Sequence, residues 1–469
     1  MLKIRLTCII DTERGQRQLS EMLQLLRILD ERPIADPGVE EFRLTKADKV
    51  ELKIMDNIAC FLAPRSTDDV LVTLHKDMPL TFVLAKNRGI PDERDKAIAK
   101  AFFHAMRDAS TWRDVLPCII SNGAERINNA LAALSTFQFE GILDGDTPYV
   151  PSELHEEFSE SFAERFTGLF DTQDPLEILK GLFHRVRDRA SFQVEPNHIP
   201  SSEELNAQLD KFMLVTATAE SLLLTKFFTK NEQADWALEY RTRVRQVSRY
   251  VYGIADLIAF RRRFILAGSD IRYVWLEDVD SNGMEPVPNS EAIQLSDSAW
   301  TAIQRLSETL QSYEMISSDE YHAHPKSTLL EEQWTSTIHP TRHAVPRMIT
   351  LLDKDTSYMA HPRLIGSNAQ LCLCCARWLT EYDDSGGWRT KWMASNPVRE
   401  VDIGADWALV DVDASAPKFW VDGEVYEMVF QRVTRVLKDA ELLREQVHHE
   451  DMAEWYQPDT AGLLGDMWD

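Results

Sequence analysis

Apolar residues three and four positions apart recur through most of this chain, and that spacing leaves few options for its fold. Leu19, Met22, Leu23, Leu26 and Leu29 line one face of a helix that has to stop before Pro33. Thr45 and Asp48 stand at capping-box spacing ahead of Ile54, Met55, Ile58, Phe61 and Leu62, and Pro64 closes that run. Pro91-Asp92-Glu93 opens another, with acid in the first turn where the helix dipole favours it, and Ala97, Phe102, Ala105 and Met106 follow. Ser152 starts a run carrying Leu154, Phe158, Phe162, Phe166 and Leu169. Asp174-Pro175 starts one carrying Leu176, Leu179, Leu182, Phe183 and Val186. Each stripe has to be buried against another element. No period repeats along the chain, so a stacked-repeat solenoid is not implied. Between these helices, VLVTLH and LTFVLA leave a strand pair and further helix both open.

The texture changes in the second half. The segment at 191–204 carries Pro and Ser and reads as a linker, and long helical patterns then run from Glu203 to about Ile265. Beyond Ala267-Gly268-Ser269, β-branched and aromatic runs alternate with helical ones: IRYVWLEDV, a helix from Ser298, a His-rich helix, RLIGSN, a Cys-rich helix, then VREVDIG and WALVDV. A last helix carries Val425, Met428, Val429, Val433 and Val436. The expected fold is α+β and helix-rich. It divides into a helical region over 1–190, a linker with long helices over 191–265 packing on both parts, a three-layer α/β domain over 266–450 and an acidic tail over 451–469.

Charge and cysteine content narrow the function classes. The formal net charge of −25 argues against non-specific nucleic-acid binding, which needs a basic surface. One local exception gathers Arg241, Arg243, Arg245, Arg249, Arg261, Arg262 and Arg263 near Tyr240, Tyr250 and Tyr252. It reads either as a polyanion surface or, more simply in so acidic a chain, as cations paired with neighbouring helices. Six cysteines in 469 residues, two of them adjacent, do not make a disulfide framework. With no signal-peptide pattern and no apolar run of spanning length, an intracellular protein, cytoplasmic or nuclear, is expected, with no membrane partner and a protein partner left open.

The chemistry concentrates in one stretch, from His339 to Pro397. Cys372 and Cys375 are separated by two residues at a helix start, where both sulfurs can face one ion and the helix N-terminus favours the thiolate. His343 lies 29 residues upstream of Cys372 at the start of its own helix. Two helix starts facing each other across a strand would supply one His and two Cys, the three-ligand count of an open zinc site. Cys372, Cys374 and Cys375 could equally be small core fillers. Trp378, Trp388, Trp392, Trp407 and Trp420 could stack on a base, though core packing is the simpler role. Phosphate-loop, dinucleotide and serine-hydrolase motifs are absent.

The order of these pieces resembles the nucleic acid/nucleotide deaminase superfamily, and more narrowly its fungal and Orientia-type branch. RHAVPRMITLL is similar to that branch's His-bearing helix, LIGSNAQLCLCC to its Ile-Gly and C-x-x-C segment, and KWMASNP to its Trp-bearing segment. The resemblance covers at most about a third of the chain. It implies a deaminase-like domain over 266–450, with His343, Cys372 and Cys375 as zinc ligands and a nucleobase, nucleotide or nucleic acid as substrate. If active, the chain would be a hydrolase of amidine C–N bonds. The family's proton shuttle is the Glu of H-x-E, and here Val345 stands at that position. Valine transfers no proton, and removing a positioned acid/base removes about 10²–10⁴-fold of rate. Asn368 replaces the family's lysine after Ser367. His339, Glu331, Glu332, Asp353 and His361 are near enough in sequence to substitute for the shuttle. The triplets at His155-Glu156-Glu157 and His448-His449-Glu450 lie out of order for the motif. The expectation is a degenerate zinc-deaminase-like protein, weakly active or inactive and serving as a binding or regulatory module. The alternatives are an active zinc deaminase with an atypical shuttle and a metal-free helical interaction protein.

Overall fold

The structure is a computed structural model. It describes residues 12–30, 44–65, 69–76, 80–86, 90–139, 142, 175–195, 202–264, 271–276, 292–310, 313–353, 363–368, 371–385, 392–394, 403–404, 406–409 and 421–445. The chain begins with α1 (Thr12–Leu29) and α2 (Lys46–Leu62), then a hairpin of β1 (Val70–His75) and β2 (Thr81–Lys86). A long helical stretch follows: α3 (Glu93–Asp108), α4 (Trp112–Ser135), α5 (Pro175–Ala190), α6 (Ser202–Leu223), α7 (Lys226–Lys230), α8 (Asp235–Ser248) and α9 (Ile254–Phe264). A π-helical turn at Arg249–Gly253 joins α8 to α9. Next come β3 (Arg272–Trp275), β4 (Ile293–Gln294), α10 (Ala299–Thr309), β5 (Tyr313–Met315), α11 (Ser318–Ala323), α12 (Ser327–Gln333) and β6 (Thr337–Ile338). The site region follows as α13 (Ala344–Leu352), β7 (Arg363–Ser367), α14 (Leu373–Ser385) and β8 (Trp392–Ala394), before α15 (Val421–Asp439) and β9 (Leu443–Glu445).

Local chemistry accounts for several helix starts. The Thr45 hydroxyl accepts from the Asp48 amide and the Asp48 carboxylate reaches back to the Thr45 amide, closing the box that the sequence suggests. Asp92 and Asp95 do the same for α3. Pro175 takes the first position of α5, where its missing N–H would have no partner anyway. The helix expected after Ser152 lies outside the described residues.

VLVTLH and LTFVLA form an antiparallel pair, Val70 opposite Lys86 and His75 opposite Thr81. They belong to a five-stranded sheet in the order β3-β2-β1-β7-β8. β1 pairs antiparallel with β7 (Leu71 with Ser367, Val72 with Gly366), β7 parallel with β8, and β2 parallel with β3. Both faces of this sheet are covered. Val70, Val72, Phe82, Leu84 and Leu364 join a core built by α2 to α9. Leu71, Val83, Ala85, Ile365 and Trp392 join a second core with α1, α10, α13, α14 and α15. Strands buried on both faces read as continuous apolar runs, which is why the hairpin has no clear alternation in sequence. Each large aliphatic or aromatic side chain so buried contributes about 1.5–3 kcal/mol. Because β1 and β2 lie within 1–190 while β3, β7 and β8 lie beyond 266, the sheet crosses the boundary drawn from sequence at 265/266. Two short two-stranded pairs, β4 with β6 and β5 with β9, complete the described strands.

The expected strand at 271–279 is seen as β3, ending at Trp275, with 277–279 outside the described residues. The expected strands at 398–404 and 407–412 also fall largely outside them. Within these, Trp407 makes a single parallel bridge with Thr341.

Candidate metal centre

His343 is the residue immediately before α13, with extended backbone angles (φ −66°, ψ 152°). Its side chain makes no capping bond to its own helix. The ring turns instead toward the start of α14. There its Nδ1 lies 3.3 Å from Cys372 Sγ and 3.4 Å from Cys375 Sγ. Cys372 occupies the cap position of α14, and its sulfur accepts a hydrogen bond from the Cys375 amide at 3.4 Å. The three donor atoms all lie within 4.8 Å of one another, and all three residues are buried. Two helix N-termini therefore converge on two sulfurs, and both dipoles favour negative charge there.

The separations match what one ion requires. Tetrahedral bonds of about 2.3 Å to sulfur and 2.0–2.1 Å to nitrogen place a sulfur and a nitrogen ligand about 3.6 Å apart. His343, Cys372 and Cys375 thus form a group that can hold a metal ion, brought together across β7 as the sequence spacing suggests. Among the described residues no carboxylate joins the group. Cys374, fully buried beside them, belongs to the second core.

A second layer was not legible in the sequence. His343 Nε2 lies 3.6 Å from Asp406 Oδ1, an ion-pair separation longer than a hydrogen bond. A carboxylate on the far side of a ligating imidazole orients the ring and raises its basicity. Asp406 is held by Thr341, whose amide donates to the Asp406 carbonyl at 2.6 Å and whose hydroxyl lies 3.2 Å from Asp406 Oδ2. Gln16 of α1 reinforces the same loop, donating to the Trp407 carbonyl and accepting from the Leu409 amide. Gly404 adopts a positive φ of 56°, and a Cβ there would stand 3.2 Å from both Cys372 Cβ and His343 Cε1. Backbone thus lies directly over the group.

The charges inside this pocket are set by the neighbours. Burial drives the His343 imidazolium down, but the Cys372 thiolate and Asp406 overcome it and push the group up to about 10. Burial likewise opposes a Cys372 thiolate, but the Cys375 thiol, the His343 charge and the Cys375 amide bring it down to about 5. Burial and the adjacent Cys372 sulfur push Cys375 well up. Metal-free, the group is therefore an imidazolium–thiolate pair beside a neutral thiol. A metal ion needs neutral His343 and two thiolates, so its uptake displaces one proton from His343 and one from Cys375. Between about pH 5 and pH 10 the expected release is two protons per metal, and affinity falls about a hundredfold for each pH unit lost. Calorimetry of metal binding in two buffers of different ionisation enthalpy measures this number directly.

The other sequence candidates are placed elsewhere. Val345 is 1% exposed and packs in the second core. Asp353 holds Arg363, the Tyr382 hydroxyl at 2.5 Å and the Trp392 indole N–H at 3.3 Å, a structural tie between α13, β7, α14 and β8. Glu331 accepts from the Tyr321 hydroxyl at 2.7 Å. Neither these two nor Glu332 and His339 belong to the donor group, and His361 and both other H-x-E triplets lie outside the described residues. Asn368 accepts from the Val70 amide at 2.6 Å and so fastens the start of β1. Trp378, Trp392 and Trp407 are fully buried core residues, and Trp388 and Trp420 lie outside the described residues.

The basic patch is largely engaged within the fold. Arg261 donates to the carbonyls of Met106, Arg107 and Ala109 at the end of α3, and Arg262 to that of Ser110. Arg243 bonds the Ala133 carbonyl and pairs with Glu239, while Arg249 is half-buried and held charged chiefly by Cys60. Backbone carbonyls at helix ends, more than carboxylates, are their partners. Tyr240 and Tyr250 are buried, leaving Tyr252 exposed.

Comparison with known protein families, curated proteins and solved structures gives no match. What the fold and site define is a helix-rich protein with a small mixed sheet and a buried His-Cys-Cys group able to hold a metal ion. No helix among the described residues is long and apolar enough to cross a membrane.

Proposed function

We propose that this chain is a zinc-holding, deaminase-like protein whose metal ties the fold together and whose deamination chemistry is lost or weak, leaving a binding or regulatory module. The observation that carries this reading is the convergence of His343 Nδ1 with two sulfurs while Val345, two residues on, is core. An imidazole and two thiolates form a donor set suited to zinc. The order of elements supports the family reading: His helix, Ile-Gly strand, Cys helix, then a Trp-bearing strand. Zinc here would be held by His343, Cys372 and Cys375, oriented by Asp406, and would cross-link the starts of α13 and α14. The burial of all three donors under the Gly404 backbone restricts access to the fourth position that a three-ligand set leaves open.

The test combines metal content of the purified protein with ammonia release from a panel of nucleobases, nucleosides, nucleotides and oligonucleotides. One zinc per chain and no ammonia above the blank is the expected result. Ammonia release abolished by Cys372→Ser would instead make the chain an active deaminase. Protein that holds no zinc after purification and reconstitution would leave the metal-free interaction protein.

A further inference from the structure

Trp407, the residue after Asp406, is fully buried, and its indole Nε1–H has no hydrogen-bond partner among the described residues. Neighbouring indoles of the same core are satisfied. Trp378 donates to Asp422 at 3.1 Å, Trp392 to Asp353 at 3.3 Å and Trp334 to the Ser296 carbonyl at 2.8 Å. A buried donor left alone costs about 1–3 kcal/mol, so an orphan of this kind points to a group that completes it.

The backbone fixes Trp407 on both sides. Its amide donates to the Gly404 carbonyl at 2.9 Å, its carbonyl accepts from Gln16 at 3.0 Å, and the Ala408 amide donates to the Thr341 carbonyl at 2.9 Å. Cys375 is its neighbour in the second core. Burial and then the Cys372 and Cys374 sulfurs disfavour a thiolate at Cys375, and the Trp407 indole is the group that favours one. A neutral thiol is a weak acceptor, which is why the contact stops short of a formed hydrogen bond. A cysteine on a metal ion is a thiolate, and a charged acceptor takes an N–H far more strongly.

We propose that Trp407 is a positioning residue of the metal centre, its indole N–H donating to the Cys375 sulfur when that sulfur holds the ion. The inference rests on the metal reading above. It gives one loop a task at each helix: Asp406 orients His343 ahead of α13, and Trp407 fixes Cys375 in α14. That shared task accounts for the bonds from Thr341 and Gln16 that pin the loop in place.

Cobalt(II) in place of zinc makes the sulfur bonds visible, because charge transfer from thiolate to cobalt absorbs in the near ultraviolet. The full wild-type chain is expected to show this band. Trp407→Phe is expected to bind cobalt and zinc about tenfold or more weakly. Its band is expected to move to lower energy, since a thiolate that has lost a donor gives up charge more readily. Trp392→Phe removes an indole from the same core and is expected to leave the band in place. An unshifted band in Trp407→Phe overturns the proposal even if binding weakens, because lost packing alone explains that weakening. If Trp407→Phe fails to fold, wild type loaded with an NMR-active cadmium isotope decides. An indole proton coupled to the metal through the sulfur is then expected, and the absence of such a coupling overturns the proposal. Wild-type protein with no charge-transfer band overturns the metal reading and this inference with it.

Discussion

Cys375→Ser is expected to strip the metal from this chain and to remove about 4 kcal/mol of stability measured with zinc at roughly a thousand times its dissociation constant. A hydroxyl does not ionise near neutral pH and is a poor partner for zinc, so the substitution leaves His343 and Cys372 as two ligands where three are needed. The metal-free protein should suffer far less. The Cys372 thiolate keeps its His343 partner at 3.3 Å and the Cys375 amide, a backbone group that the substitution leaves in place. The serine hydroxyl stands where the neutral thiol stood. Exchanging a buried thiol for a hydroxyl with a ring nitrogen in reach costs about 1 kcal/mol, the scale of one hydrogen bond gained or lost. Urea denaturation with zinc and with a chelator therefore separates two contributions. A deficit several-fold larger with zinc than with chelator is the expected pattern. Equal deficits under both conditions would mean that Cys375 is core and nothing more, and the zinc reading would fall with it. His343→Ala is the harsher companion, because it leaves the buried Cys372 thiolate facing no cation.

The uneven legibility of this fold has physical causes. Helices with caps are written locally, so Thr45 with Asp48, Asp92 with its first-turn acid and Pro175 can be read from a few adjacent residues. The grouping of three side chains able to hold a metal ion was legible for a related reason. Cys372 and Cys375 share one helical turn, and only His343 had to come from elsewhere. What could not be read is non-local. Thr73 pairs with Ile365, more than half the chain away, and nothing in VLVTLH selects that partner. Asp406 meets His343 because a loop is pinned to Thr341 and to Gln16, and these residues carry no common motif. Strands of two or three residues such as β4, β5, β6 and β9 are too short to show a period of two. The tyrosines and arginines of 240–263 look like a surface in sequence. They are instead used to close helix ends and fill a core, because those tasks also draw on long side chains with polar tips.

Gly366→Ala is expected to destabilise the protein by about 3 kcal/mol, at the upper end of what a small overpacking change does. The reason lies in the approach of α2 to β7. A Cβ built on Gly366 would lie 2.4 Å from Met55 Cβ, 2.5 Å from the Met55 carbonyl carbon and 2.6 Å from the Asp56 amide nitrogen. Two of these are backbone atoms, so no rotamer change relieves the clash, and α2 has to move as a body. It cannot do so freely, because the Ser367 amide donates to Asp56 Oδ1 at 2.9 Å and Met55, Ile58 and Phe61 are locked in the first core. The Gly of the Ile-Gly segment is thus required by helix-on-strand contact, whatever the metal does. Gly423→Ala in α15 is the matched control. Nothing stands within 4 Å of a Cβ there, and a helical glycine replaced by alanine gains about 0.5–1 kcal/mol. The two substitutions should therefore shift the urea midpoint in opposite directions. The loss at Gly366 should also weaken metal uptake, since β7 runs from beside α13 into the start of α14 and sets the distance between His343 and the two sulfurs. A Gly366→Ala protein with an unchanged midpoint would show that α2 yields at this contact, and would remove the packing account of the motif.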